Sequence, residues 1–130
     1  GQLGVNFDEK LILVGAGNLG RALMNYNRWN HVVGEIVCAF DTDNDKIGSL
    51  SEVPVYHLRD LNQYLPEGCR IAILTVSGNA QETVDLLIES GIVGIVNFTH
   101  EHIQAPKGVI IRTVDVVSTI QELIFQVNNF

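Results

Sequence analysis

The sequence is short of cysteine, of positive charge and of long apolar runs, and each shortage removes a class of function. Its two cysteines, Cys38 and Cys69, form no Cys-x-x-Cys pair. A chain with this much apolar residue needs no staple, so free, reduced thiols are expected and thiol-based sensing is the weaker alternative. Eight lysines and arginines stand against fifteen acids, a formal net charge of -7. Such a field repels phosphate backbones and anionic lipid, so this chain alone is not expected to grip DNA. No apolar stretch reaches the roughly 18 residues needed to cross a bilayer, and the first residues lack a basic segment followed by an apolar one. The expectation is a soluble, cytoplasmic protein without membrane contact. Also absent are a Gly-x-Ser-x-Gly elbow, a phosphate-binding P-loop and a Cys-His arrangement, so no catalytic residues are assigned.

What is present is the balance of a folded protein: 46% apolar and 18% charged residues in a chain of 130, a length that suits one domain with one core. "EKLILVG" (Glu9 to Gly15) reads as a buried strand. Leu19, Ala22, Leu23 and Tyr26 then follow at helical spacing. "GEIVCAFDTD" (Gly34 to Asp43) is a second continuous apolar strand, ending in acids. "VPVYHL" suggests a short third strand with a brief helix over Asp60 to Tyr64. "RIAILTVSG" is another buried strand, and the helix after it puts Ala80, Val84, Leu87 and Ile88 on one face before stopping near Gly91. "VGIVNFT" and "GVIIRTVD" supply two more strands, and a last helix runs from Val116 to Phe130. Apolar strands alternating with helices predict an α/β, Rossmann-like, doubly wound and mostly parallel sheet over residues 9–130, with residues 1–8 the remnant of a connection.

Gly15, Gly17 and Gly20 make G-x-G-x-x-G in "GAGNLG". The motif alone is weak, but here it sits between a strand and a helix, where each glycine has a task. The first turns tightly, the second lets a pyrophosphate approach the backbone, and the third lets helix and strand pack closely. The loop residues Ala16, Asn18 and Leu19 complete the phosphate-facing turn, with helix N-terminal amides and dipole favouring anions. Asp41 lies 21 residues past Gly20, placed to accept bonds from adenosine ribose hydroxyls and to repel a 2′-phosphate; Thr42 and Lys46 follow it. NAD(H) is therefore expected over NADP(H), with Lys46 and the second acid Asp43 leaving that preference open.

A dehydrogenase needs further groups to hold substrate and move a proton. The available histidines are His31, His57, His100 and His102. His31 falls in a loop, His57 ends a short strand, and "HEH" gives two metal ligands without a third or fourth, so no metal is expected. The last helix is different. Val116, Val117, Ile120, Leu123, Ile124, Phe125 and Val127 cover more than one stripe, and Thr119 with Glu122 could form a capping box. Such a helix wants cover on several sides, which points to a homodimer built on about residues 115–130.

"VGAGNLGRALMNYN", "AFDTDNDKIG", "VPVYHLRDL", "ILTVSGNAQETVDLLIESGIVGIVNFT" and "VDVVSTIQELIF", in that order, resemble the Rex family of redox-sensing transcriptional repressors across nearly the whole chain. The resemblance implies a homodimeric regulator whose Rossmann domain binds NADH and NAD+, and whose amino-terminal winged helix, not included in these 130 residues, binds operator DNA that NADH releases. It further implies cofactor contacts from Thr75, Val76, Asn97, Phe98 and Thr99, and places Tyr26, Asp115 and Val116 where the family links cofactor state to subunit arrangement. This sequence has "NFTH" and "TVS" where the family often has "NFAP" and "TVP", which leaves the nicotinamide contacts open. The rival readings are the cofactor-binding fragment of an NAD-dependent dehydrogenase and a CoA-binding Rossmann module.

Overall fold

The computed structural model describes residues 9–25, 34–48 and 53–130. The expected connection at 1–8, Tyr26 and His31 lie outside the described residues. Six strands form one sheet: β1 (Glu9–Val14), β2 (Gly34–Asp41), β3 (Val55–His57), β4 (Ile71–Leu74), β5 (Gly94–Asn97) and β6 (Ile110–Thr113). Their spatial order is β3-β2-β1-β4-β5-β6, and all five neighbouring pairs run parallel. Parallel strands need crossovers; α1 (Asn18–Met24), α2 (Leu61–Tyr64) and α3 (Ala80–Glu89) lie on three of them, and α4 (Val116–Asn128) follows the last strand.

The sheet separates two apolar layers because alternate side chains leave opposite faces. One layer gathers Ile12, Val14, Cys38, Phe40, Ala72, Leu74 and Ile95 under α3 and the α2 segment. The other holds Leu11, Leu13, Ala16, Ile36, Ala39 and Ile73 with Met24 of α1. α3 follows its apolar spacing, burying Ala80, Thr83, Val84 and Leu87. α1 does not follow the expected spacing. It buries Gly20 and Met24, while Leu19 is 46% exposed and Ala22 is exposed. The helix is turned by the close approach of Gly20 to the end of β1, and that contact overrides the Leu19–Ala22 stripe.

A register shift between Leu11 and Ile12, whose partners are Ile36 and Cys38, puts a bulge in β2 at Val37. Val37 and Cys38 both pack into the α3 layer, whereas Ile36 and Ala39 belong to the α1 layer. The extra residue inverts the alternation for the rest of the strand. Asp41 thereby faces α1, where an unbroken strand would turn it the other way.

Both cysteines are buried. Burial, reinforced by the nearby Cys69, pushes the Cys38 thiol up to about 12. Burial is also the main cause that raises Cys69. Between about pH 9 and 12 the unfolded chain releases a Cys38 proton that the folded chain retains. Stability is accordingly expected to be full below pH 9 and to fall toward pH 12, with Cys38→Ala flattening that slope. Thiol reagents at pH 8 are expected to label both cysteines slowly in the native protein and rapidly in denaturant; native labelling at the rate of a free thiol would contradict this.

Candidate functional site

The sequence order of the strands reverses between β1 and β4, and in open parallel sheets that is where a crevice opens beyond the carboxyl ends of the strands. A cleft of about 380 Å³ lies there. Gly15, Gly17, Asp41, Thr42, Lys46, Thr75 and Val76 line it, so the structure brings together seven of the residues read from the sequence as cofactor contacts. Asp43, Leu58, Ser77, Gly78, Asn79 and Thr83 line it as well and were not read as contacts. Three of them carry a sequence signal, since "SGN" follows the end of β4 after Thr75 and Val76, much as "GAG" follows β1.

The three glycines divide by what demands them. A Cβ on Gly15, where φ is +106°, would meet the Thr75 carbonyl carbon at 2.7 Å, and a Cβ on Gly20 would fall on the Gly15 carbonyl oxygen. Both are fixed by the packing of the protein against itself. Gly17 is different: nothing lies within 4 Å of its Cβ position, and its φ of -76° and ψ of -160° suit any residue. The fold leaves this side empty, toward the cleft. Gly17 is also the N-cap of α1, where it gives the helix start no side-chain cap, and it lines the cleft. Asn18 and the half-exposed Leu19 form the first turn beside it.

Asp41 closes the other side of the loop. Its Oδ2 accepts from the Ala16 amide at 2.6 Å and its Oδ1 accepts from the Asp43 amide at 2.8 Å. A carboxylate offers about four lone-pair positions, so both oxygens retain capacity for hydroxyl donors in the cleft. Lys46 ends a short helical turn, Asn44–Lys46, capped by Asp43. His57 is absorbed into structure, its Nδ1 accepting from the Arg59 amide at 3.1 Å.

Asn97, Phe98 and Thr99 do not line the cleft. Asn97, at the end of β5, is fully buried; its Oδ1 accepts from the amide and hydroxyl of Thr99, and its Nδ2 donates to the Glu101 carbonyl. Phe98 packs on the α1 layer. Asp115 is the N-cap of α4: its Oδ1 accepts from the Ser118 amide at 3.0 Å and its Oδ2 from the Ser118 hydroxyl at 2.7 Å. Those bonds hold its carboxyl below the ordinary range. The helix thus starts at Val116 with Asp115 as its N-cap and not with the capping box read at Thr119 and Glu122; the Thr119 hydroxyl instead donates back to the Asp115 carbonyl. Val116 is 60% exposed. Among the described residues no three His, Cys, Asp or Glu side chains gather as a metal site, and no helix is long and apolar enough to cross a membrane.

Residues 6–101 match the family model described as CoA binding domain. The chain belongs to that family. Within it, the redox-sensing transcriptional repressor Rex of Listeria welshimeri is 43% identical over 121 residues, 91% of this chain and 56% of its own length; the chain thus spans little more than half of that relative. Two solved structures of RSP, a Rex-family repressor, superpose closely. The complex with beta-NADH gives a TM-score of 0.85 at 27% identity, over 94% of this chain and 61% of that one. The complex with beta-NAD+ and operator DNA gives 0.87 at 28% identity, over 98% and 60%. Rex repressors are homologues of this chain, and its six-stranded parallel sheet matches the Rossmann-like fold of the Rex-family structures.

The contrast between glycines has a direct check in thermal or urea unfolding. Gly20→Ala is expected to lose about 1–3 kcal/mol through overpacking against the β1 end, whereas Gly17→Ala stays within about 0.5 kcal/mol of the parent.

Proposed function

We propose that residues 9–130 are the NADH- and NAD+-binding sensor of a redox-responsive transcriptional repressor, acting in the cytoplasm as a homodimer and not as an enzyme. The observation that carries the reading is Gly17, a glycine the protein's own packing does not require, placed at an uncapped helix start that opens into the cleft. A pyrophosphate is the group that needs a bare backbone at that point. Asp41, beside it, is positioned for the ribose hydroxyls of the adenosine half. The nicotinamide half then extends over β4, toward Thr75, Val76 and the Ser77–Asn79 turn, with Phe98 and Val116 as candidate apolar neighbours of the ring. An apolar surround penalises the cationic ring of NAD+ by desolvation and accepts the neutral ring of NADH. Among the described residues no histidine, cysteine or tyrosine lines the cleft, and the Rex relatives are repressors, which favours sensing over turnover.

The dimer reading rests on two surfaces with matching needs. Every apolar residue of α4 named above is at least 50% exposed, with Phe125 at 68%, although a helix of this length is marginal in water alone. On the α1 side of the sheet, no helix among the described residues covers the β4–β6 end: Ile71, Gly94 and Val96 are partly exposed there and Ile110 is 59% exposed. The α4 of a second copy supplies the missing cover. Asp115 and Tyr26 are the proposed links between cofactor and subunit arrangement. Operator DNA would be held by a winged helix not included in these 130 residues, in keeping with the acidity of this part, and NADH would favour the dimer form that releases it.

Calorimetric titration is expected to show NADH binding at least about tenfold tighter than NAD+, a difference of about 1.4 kcal/mol. Gly17→Ala is expected to abolish binding of both without loss of fold, and CoA is expected not to displace NADH. Equal affinity for the two nucleotides would overturn the sensing reading, and displacement by CoA would favour a CoA-binding module. In sedimentation the chain is expected to run as a dimer, and Phe125→Asp as a monomer.

A further inference from the structure

The far wall of the cleft, from Thr75 to Asn79 with Thr83, carries no charged side chain. The turn after β5 brings one to its edge. Glu101 accepts from the Ala80 amide through both carboxylate oxygens, at 3.3 and 3.2 Å, at the residue that follows Asn79 and opens α3. Asn79 holds a left-handed conformation (φ 54°) and gives the helix no side-chain cap, so the carboxylate of Glu101 takes that place from across the fold.

The placement is built. Buried Asn97 binds the Glu101 carbonyl, and the Thr99 hydroxyl, itself held by Asn97, accepts from the Glu101 amide at 3.2 Å. Beyond it, Gln104 is pinned to α3 by a reciprocal pair: its amide donates to Gln81 Oε1 at 2.8 Å and its carbonyl accepts from Gln81 Nε2 at 2.9 Å. Glu101 therefore has a fixed address on an exposed loop.

We infer that Glu101 is a specificity-determining residue that sets how strongly the cleft discriminates NADH from NAD+. This rests on the dinucleotide reading above. An uncapped α3 start would present a partial positive charge to that end of the crevice and oppose a pyridinium ring. The Glu101 carboxylate cancels that charge and leaves the wall net negative, which favours the cationic ring while leaving the neutral ring nearly unaffected. Its effect opposes the desolvation that rejects NAD+, so it fixes the NADH to NAD+ ratio at which the sensor responds.

The test is titration of the 130-residue chain with NADH and with NAD+ at low ionic strength, in the parent, Glu101→Gln and Glu101→Lys. Gln keeps an acceptor for the Ala80 amide and loses only the charge. NAD+ is expected to bind about two- to fivefold more weakly to Glu101→Gln, and more weakly still to Glu101→Lys, with NADH affinity unchanged. Added salt is expected to shrink the difference. Equal changes for both nucleotides, accompanied by a lower melting temperature, would make Glu101 a purely structural cap and overturn the inference, as would no change for either. If the parent chain binds neither nucleotide, the dinucleotide reading fails and this inference with it; if the parent binds both and the variants match it, only the inference fails.

Discussion

The structure depends on one close approach, the start of α1 against the end of β1, where Gly20 lies on the Gly15 carbonyl with no room for a methyl group. That contact decides the roll of the helix, and so which residues it buries. It holds the α1 N-terminus over the carboxyl ends of β1 and β4, with Gly15 pressed on the Thr75–Val76 backbone and the Thr75 hydroxyl donating to the Gly15 carbonyl at 2.6 Å. The carbonyl of Gly15 is thus both the surface Gly20 packs on and the acceptor that ties the two central strands together. The wall of the crevice is backbone locked to backbone, and such a wall keeps its shape whether or not a ligand is present.

Much of this was legible because it follows from composition and period. Continuous apolar strands with glycine at their ends specify a parallel sheet covered on both faces, and all six strands form where their apolar runs lie. Gly15 and Gly20 announced themselves by spacing. Asp41 and Thr42 are readable because strand ends in such a sheet converge on the crevice, whereas Thr75 and Val76 enter through the family resemblance.

The parts not legible arise from interactions between distant segments. The bulge at Val37 leaves no trace in "GEIVCAFD", since every residue from Ile36 to Phe40 is apolar and suits either face. Yet it decides that Asp41 turns toward Ala16. Similarly, nothing local marks Glu101 as the cap of a helix that begins 21 residues earlier, and Asn97, an apparent cofactor contact by resemblance, is spent on building the turn that positions it. Thr119 and Glu122 fit a capping box, but Asp115 is itself a favoured N-cap residue and lies where β6 delivers the chain. Local rules offered two caps, and the length of the preceding connection chose between them.

A sensor of redox state needs no redox chemistry of its own if it can weigh its ligand's charge. The two thiols are unsuited to the task, buried and held in their neutral form, so on the proposed reading the signal must enter through the nucleotide. Reduced and oxidised forms share the adenosine and pyrophosphate anchors, and binding energy gathered at Gly17 and Asp41 is common to both. Common binding energy moves no conformational equilibrium, however large it is. Only the nicotinamide end can discriminate. That end is the weakly charged wall after β4 and the turn after β5, next to the segment from β6 into α4. On the proposed reading, discrimination and subunit contact lie along the β4–β6 side of the sheet, so a small difference in how the ring is accommodated would act close to the helix that a second copy is proposed to cover. The coupling available is bounded by that difference, which makes the electrostatics of a single loop comparable in weight to the whole response.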